Sequence, residues 1–279
     1  MNRQQSLGGG ARGFIPLKGR NIGVETPTYR GITSEEVGWT FSSTAPKIAF
    51  TLAEVLITLG IIGVVAAMTL PGLIANYKKH EIAVRLKASY SILSQMLTRA
   101  QADYGDPVHW DFNSVYGSQG GMENSLKRIE SLVQKYFIPY LTNIQDHRIA
   151  TLAEAGYPVY HLADGSVDAH NLNDLNKRHY VIEFSNGTTV FVYVDSAVGF
   201  GTTNIILYID VNGKKNPNVF GKDTFFAKIN SKTGRLEFYG AGVGKDDLIE
   251  SCKTRNIVCG ALIMHDGWEI TRDYPINIR

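Results

Sequence analysis

Oxygen-bearing side chains crowd one short stretch in the second half of the sequence. Asp210 and Asn212 begin the stretch, and Asp223 ends it. Carboxylate and amide oxygens are the ligands that Ca²⁺ takes in proteins, so the three residues are a candidate calcium site. The stretch lacks the third acid and the terminal glutamate of an EF-hand, and Asx turns between two strands produce the same composition. The sequence therefore favours a structural loop, with calcium as the alternative and no other cofactor or metal expected.

No other group of residues has the spacing of an active site. The glycine-rich stretch 240–246 has the composition of a phosphate loop, but its spacing is one residue short. In addition, Asp246 stands where magnesium binding needs Ser or Thr, so we interpret the stretch as a flexible turn. The seven histidines are scattered, and no Ser or Cys has the sequence context of a nucleophile. The sequence predicts that the protein is not an enzyme.

Cys252 and Cys259 are the two cysteines of the chain. They form no CxxC motif, and no histidine cluster stands near them at zinc spacing. If this part of the chain is exported to an oxidising compartment, a disulfide between them is the natural interpretation. A pair of reduced thiols is the alternative.

A long apolar run dominates the first third of the chain. No charged residue occurs from Val55 to Tyr77, and Lys78 and Lys79 follow. A membrane-spanning helix needs roughly 20 apolar residues, so the run is long enough to cross a bilayer. Glu54 lies just inside its near end, where a carboxylate is either functional and paired with a cation or sits at the headgroup level of an ordinary signal anchor.

The stretch FTLAEVLITLGIIG, residues 50–63, resembles the N-terminal segment of type IV pilins and type II secretion pseudopilins. In that family a phenylalanine begins the mature chain and a glutamate is its fifth residue, which here are Phe50 and Glu54. Pro71 falls where these helices often carry a proline, and we expect a kink there. The resemblance implies cleavage by a prepilin peptidase between Ala49 and Phe50 and N-methylation of Phe50. Ala49 departs from the glycine that usually precedes the cut.

The resemblance also implies a function. The chain would be a single-pass protein of the bacterial inner membrane, with its leader in the cytoplasm and its head outside. It would assemble with other pilin-like subunits into a type IV pilus, a type II secretion pseudopilus or a DNA-uptake filament. In the filament, Glu54 would compensate the positive amine of a neighbouring Phe50. The alternative is an uncleaved, single-pass membrane-anchored binding domain.

The apolar run and the pilin-like stretch divide the chain into three predicted parts. Residues 1–49 are rich in Gly, Ser, Thr and Arg, and we expect a disordered leader. Residues 50–104 are predicted to form one long helix, whose first half, 50–77, spans the membrane. Residues 105–279 form a globular α+β head. The leader holds six basic and three acidic residues, which leaves 22 basic and 23 acidic residues in the rest, so no overall positive charge predicts nucleic-acid binding.

The head is expected to cover the second half of the long helix with an antiparallel sheet. From Ile82 to Tyr104, apolar residues recur at steps of three and four and so share one helix face. A second amphipathic helix is predicted for 123–140. Asn186-Gly187 between two apolar runs predicts a β-hairpin. The predicted strands are 157–162, 179–184, 188–194, 203–210, 223–230 and 235–239. Together with the resemblance, the pattern indicates an α+β, pilin-like fold.

Overall fold

The computed structural model describes residues 50–110, 121–167, 171–173, 178–196, 203–230 and 233–278. The predicted disordered leader, 1–49, which includes Ala49, lies outside the described residues. Leu52–Arg279 forms one compact unit. The architecture is α+β: a long N-terminal helix packs on a six-stranded antiparallel sheet.

The first helix, α1, runs from Leu52 to Tyr104 without interruption, through Pro71. Its 53 residues span about 80 Å at a rise of 1.5 Å per residue. The helix ends at Gly105, whose φ of 74° is a left-handed conformation that glycine adopts without steric cost. The kink expected at Pro71 stays a prediction.

The two halves of α1 have different surroundings. The first half buries nothing, whereas from Ala83 onward a stripe along the helix is buried against the head. The predicted apolar face is therefore observed, although Tyr104 at its end is partly exposed and packs edge-on against Tyr136. The buried members of the stripe are Ala83, Leu86, Ser89, Leu93, Met96, Leu97 and Ala100.

The sheet is a meander in which each strand pairs with the next one along the chain. The strands His179–Phe184 and Thr189–Ser196 form a hairpin. Its tight turn contains Gly187 at a φ of 84°, and the Gly187 N–H donates to the Phe184 carbonyl over 2.9 Å. The predicted Asn-Gly hairpin is thus observed. The strands are β1 Ile144–Ala150, β2 His179–Phe184, β3 Thr189–Ser196, β4 Thr203–Asp210, β5 Thr224–Asn230 and β6 Leu236–Phe238.

Both faces of the sheet are covered. Along β4, Ile205, Leu207 and Ile209 join the core that contains the buried stripe of α1. The alternate residues Ile206 and Tyr208 belong to a second, aromatic-rich core on the opposite face. This alternation follows from the two-residue period of a strand. The remaining helices are α2 Gly121–Tyr136, the four-residue α3 Leu152–Ala155, α4 Lys245–Arg255 and α5 Cys259–His265.

The structure differs from the predicted elements at three places. The stretch 157–162 is not a strand, because only His161 makes isolated bridges there, to Val167 and Val219. Strand β1 was not predicted, since its sequence IQDHRIA alternates only weakly between apolar and polar residues. The second helix ends at Tyr136, and a short 3₁₀ turn over Ile138–Tyr140 follows it, which places Pro139 outside the α-helix.

Candidate membrane segment and its junction with the head

The apolar half of α1 presents side chains to solvent on every side. No residue from Phe50 to Tyr77 is buried, and Leu52 and Met68 are 77% and 78% exposed. Monomeric soluble proteins rarely expose apolar patches of more than a few hundred Å², so a segment of this length needs another apolar environment. By length and composition, α1 is long and apolar enough to cross a membrane. The absence of buried residues in this segment sets it apart from the core helix of a soluble domain.

Two threonine hydroxyls of this segment donate hydrogen bonds to the helix backbone. The hydroxyl of Thr58 donates to the Val55 carbonyl over 3.0 Å, and that of Thr69 donates to the Val65 carbonyl over 3.0 Å. Such bonds let a hydroxyl enter hydrocarbon without losing its partner. Glu54 lies in the first turn of α1, where the helix dipole favours a carboxylate.

Glu54 lies in the first turn of α1, and Phe50, which is 76% exposed, stands two residues before the helix begins. Lys78 is 24 positions after Glu54, or about 36 Å further along the helix. Cleavage at Ala49–Phe50, methylation of Phe50 and the assembly role of Glu54 all stay predictions.

Arg85 holds α1 where the helix enters the head. Its Nη1 donates to the carbonyls of Val211 and Asn186, over 3.1 and 3.3 Å, and its Nη2 lies 2.9 Å from the Glu81 carboxylate. One guanidinium therefore joins the helix to two loops, β2–β3 and β4–β5, which lie at the same end of the sheet. Further along, the hydroxyl of Tyr90 donates to the Leu236 carbonyl over 3.0 Å.

The candidate calcium residues do come together, in the loop between β4 and β5. Asp210 and Asp223 are both almost fully buried. One carboxylate oxygen of Asp210 accepts from the N–H groups of Asn212 and Gly213, over 3.0 and 2.7 Å. The other accepts from the Tyr160 hydroxyl over 2.5 Å. Asp210 therefore ties the start of the loop to the aromatic core.

Asp223 holds the opposite side of the same loop. Its Oδ1 accepts from the N–H of Val219 over 2.7 Å, and its Oδ2 accepts from the N–H of Asn218 over 2.8 Å and from the Asn212 side chain over 3.1 Å. All four carboxylate oxygens of the two aspartates thus accept bonds from protein donors. Within the described residues, no group of three or more His, Cys, Asp or Glu is placed to hold a metal.

Burial changes the protonation of these two carboxyl groups. Removal from water, together with the nearby Asp223 carboxylate, raises the pKa of Asp210 to about 8. Burial also raises the pKa of Asp223, against the lowering effect of its hydrogen bonds from Val219 and Asn218. The arrangement is that of a rigid, internally bonded loop.

The β4–β5 loop and α1 enclose a cleft of about 300 Å³, which we call the basal cleft. It opens beside Lys78, at the residue where the apolar run ends. Sequence analysis did not find it, because its lining comes from segments more than 100 residues apart. The lining includes Lys78, Ile82, Arg85, Val211, Lys215, Lys222 and Ile278.

The two cysteines join the helices that follow the sheet. Cys252 lies in α4 and Cys259 begins α5, both are fully buried, and their sulfur atoms are 2.02 Å apart. Asn256 turns the chain between them at a φ of 58°. The structure thus brings together the pair that the sequence singled out, in a helical hairpin that the sequence did not predict.

No curated protein and no solved structure matches the chain. One family does match: residues 72–278 fit a family described as "Family of unknown function (DUF6613)". The match covers the last part of the apolar run, the docked half of α1 and the whole head. It begins after the stretch 50–63 that resembles pilins. Because the match extends over most of the chain, the protein belongs to the family of unknown function DUF6613.

Proposed function

We propose that the chain is a prepilin-like structural subunit that is anchored in a membrane by α1 and assembled into a filament through the same helix. One observation carries the proposal: a single helix has a fully exposed apolar half, 50–77, and a second half that is docked on the sheet. The prepilin-like stretch 50–63 lies at the start of the exposed half. The proposal covers a type IV pilus, a type II secretion pseudopilus and a DNA-uptake filament alike.

The physical basis is an exchange of apolar environments. In the bilayer, the side chains of 50–77 contact lipid, and in a filament core they contact the same segments of other subunits. Their apolar surface stays out of water in both states. The free end of the segment carries charge, since cleavage at Ala49–Phe50 would create a positive amine close to the Glu54 carboxylate. An unpaired charge in a low-dielectric core is strongly destabilising, so pairing this amine with Glu54 of a neighbour would select one axial register.

Two further features support an exported head. The sulfur atoms of Cys252 and Cys259 lie at disulfide distance, and disulfides persist in oxidising compartments outside the cytoplasm. The 26 helical residues from Leu52 to Tyr77 span about 39 Å, which is close to the thickness of about 40–45 Å of a bilayer including its headgroups. Phe50 would then lie at one interface and Lys78 at the other.

Processing tests the proposal. The full chain is expressed in bacterial membranes together with an active or an inactive prepilin peptidase, and its N-terminus is determined by mass spectrometry. We expect a chain that begins at methylated Phe50 with the active peptidase only. Ala49→Gly, which restores the usual residue before the cut, should be processed at least as well, whereas Ala49→Trp should block processing.

The result that contradicts the proposal is an intact chain in every sample, including Ala49→Gly. That outcome would favour the alternative, an uncleaved membrane-anchored binding domain. A processed chain that never appears in the sheared-filament fraction would separate peptidase recognition from filament assembly, and would remove the second half of the proposal.

A further inference from the structure

The basal cleft combines positive charge with an apolar wall. Its lining includes three basic residues, Lys78, Lys215 and Lys222, and three apolar ones, Ile82, Pro217 and Ile278. Its volume of about 300 Å³ lies at the lower end of the range of about 300–1,000 Å³ for small-molecule pockets. A ligand for this cleft is anionic at one end and apolar at the other.

The acidic groups of the cleft are already engaged. Glu81 pairs with Arg85 over 2.9 Å, so these two charges offset each other. Asp223 also lines the cleft, but its oxygens accept hydrogen bonds from the loop backbone at Asn218 and Val219. The three lysines are therefore the charges that face an incoming group.

The loop that carries two of these lysines is held rigidly. Asp210 and Asp223 bond to its backbone from both ends, and Arg85 fixes its Val211 carbonyl to α1. By contrast, the adjacent Lys214 is directed elsewhere, since it pairs with Glu183 over 3.2 Å. The fold thus brings Lys215 and Lys222 into the lining of the same cleft as Lys78 instead of leaving them on a free loop.

The position of the cleft identifies the ligand. Lys78 directly follows the apolar run, and the helical span of about 39 Å from Leu52 to Tyr77 brings it to the headgroup layer. This step rests on the proposed membrane anchoring of α1. Anionic phospholipids expose a phosphate at that depth, next to apolar acyl chains, and basic clusters beside a membrane helix are attracted to them.

We propose that the basal cleft binds the headgroup of an anionic phospholipid and so fixes the head against the membrane surface. The phosphate contacts Lys78, Lys215 and Lys222, and the apolar wall at Ile82 and Ile278 contacts the upper part of the acyl chains. Such a contact orients the head before the subunit leaves the bilayer, because α1 continues without a break into the docked half.

The test uses the full chain reconstituted into vesicles of phosphatidylcholine alone or with phosphatidylglycerol. A membrane-impermeant reagent acetylates accessible lysines, and peptide mass spectrometry measures each site. The reagent reaches only the heads that face the outside of the vesicle. The labelling of Lys253, an exposed residue of α4, therefore serves as the reference for the other sites. Lys79 is the matched control, because it neighbours Lys78 on α1 but does not line the cleft.

We expect phosphatidylglycerol to lower the labelling of Lys215 and of Lys222 about fivefold or more, because contact with an anionic lipid has about that effect on each lysine. The labelling of Lys79 should fall clearly less. Inorganic phosphate added to phosphatidylcholine vesicles should give no protection. Equal labelling in both vesicles overturns the proposal. So does equal protection of Lys79, which would indicate only a diffuse surface potential, and protection by phosphate alone, which would indicate a site for free anions.

A variant pair gives a second measurement. The control pair is Lys79→Gln/Lys87→Gln, because Lys87 is an exposed residue of the docked half of α1 that does not line the cleft. When lipids bound to the full chain are counted by native mass spectrometry, Lys215→Gln/Lys222→Gln should retain on the order of tenfold less phosphatidylglycerol than this control pair. Equal retention by the two variants also overturns the proposal. Resistance to alkaline extraction is scored in the same vesicles: loss of insertion contradicts the proposed anchor itself, whereas normal insertion without lipid preference contradicts only the cleft.

Discussion

The buried carboxyl group of Asp210 should make the head less stable as the pH rises. Its side chain accepts hydrogen bonds from Gly213 and Tyr160, yet burial beside Asp223 raises its pKa to about 8. In the unfolded chain its pKa is about 3.9. The folded state therefore holds a proton on Asp210 that the unfolded state has released over most of the range between these values.

The sign and size of the effect follow from proton linkage. Below about pH 4 both states are protonated and the stability is complete. Between about pH 5 and 7 the unfolded state binds one proton fewer, so the free energy of unfolding falls by about 1.4 kcal/mol per pH unit. Above about pH 8 both states are ionised and the decline ends. The accumulated loss over these roughly four pH units is about 6 kcal/mol, a large share of the 5–15 kcal/mol that stabilises a typical domain.

Asp210→Asn tests this account, because the amide has the shape of the protonated acid but does not titrate. We expect the variant to lose about 1.4 kcal/mol per pH unit of slope and to be more stable than the wild type near pH 8. Asp223, whose pKa is also raised, leaves a residual slope of the same sign.

Urea unfolding of the full chain in detergent, followed by the fluorescence of Trp110 and Trp268, measures these slopes at several pH values. Asp246→Asn, at an exposed position of α4, is the matched control and should keep the wild-type slope. If Asp210→Asn has the wild-type slope as well, Asp210 is ionised in the folded head. Its donors, among them Gly213 and Tyr160, then outweigh the cost of burial, and the reasoning is refuted.

Two further predictions concern the ends of the chain. Glu54→Gln and Glu54→Ala should keep membrane insertion and leader removal. Both should sharply lower the yield of sheared filaments, because the amine of Phe50 loses its counter-charge. A normal filament yield from Glu54→Ala would show that the carboxylate is incidental. Cys252 and Cys259 should be bonded in the exported protein, and Cys252→Ser/Cys259→Ser should lose about 2 kcal/mol of stability, since the closed loop is short. Two free thiols in non-reducing peptide maps would contradict the bond.

The elements that the sequence predicted best are those with strong local patterns. The β2–β3 hairpin has an Asn-Gly turn between two apolar runs, and β4 alternates between two cores, so both were found close to their observed bounds. The docked half of α1 was found because its apolar residues repeat at helical spacing. In each case the residues that define the element are neighbours in sequence.

The missed elements depend on partners that are distant in sequence. Strand β1 has exposed and half-buried positions at an edge of the sheet, and its pairing with β2 supplies the order that its own pattern lacks. Helix α4 buries Leu248 and Cys252, whereas the seven-residue α5 buries its first five residues in succession, so neither sequence shows a clear helical period. Arg85 belongs to no motif in the sequence, although its guanidinium joins two loops over 100 residues away.

The predicted site residues divide in the same way. Asp210, Asn212 and Asp223 were recognised by their composition, and the structure groups them. The sequence could not show that backbone N–H groups and the Tyr160 hydroxyl already donate to the carboxylate oxygens. The lysines of the basal cleft escaped notice because no motif joins residue 78 to residues 215 and 222. Only the fold makes them neighbours.

The continuity of α1 connects the two parts of the protein. The helix is docked on the sheet from Ala83 to Ala100 and fixed at Arg85, so the head and the second half of α1 move as one body. Pro71 lies within the exposed half, and the backbone hydrogen bond that it removes makes it the position where we expect this half to bend. A bend there would reorient the head relative to the proposed membrane, whereas a headgroup bound in the basal cleft would oppose that reorientation. The proposed lipid contact and the expected bend at Pro71 would therefore act on the same motion, in opposite directions.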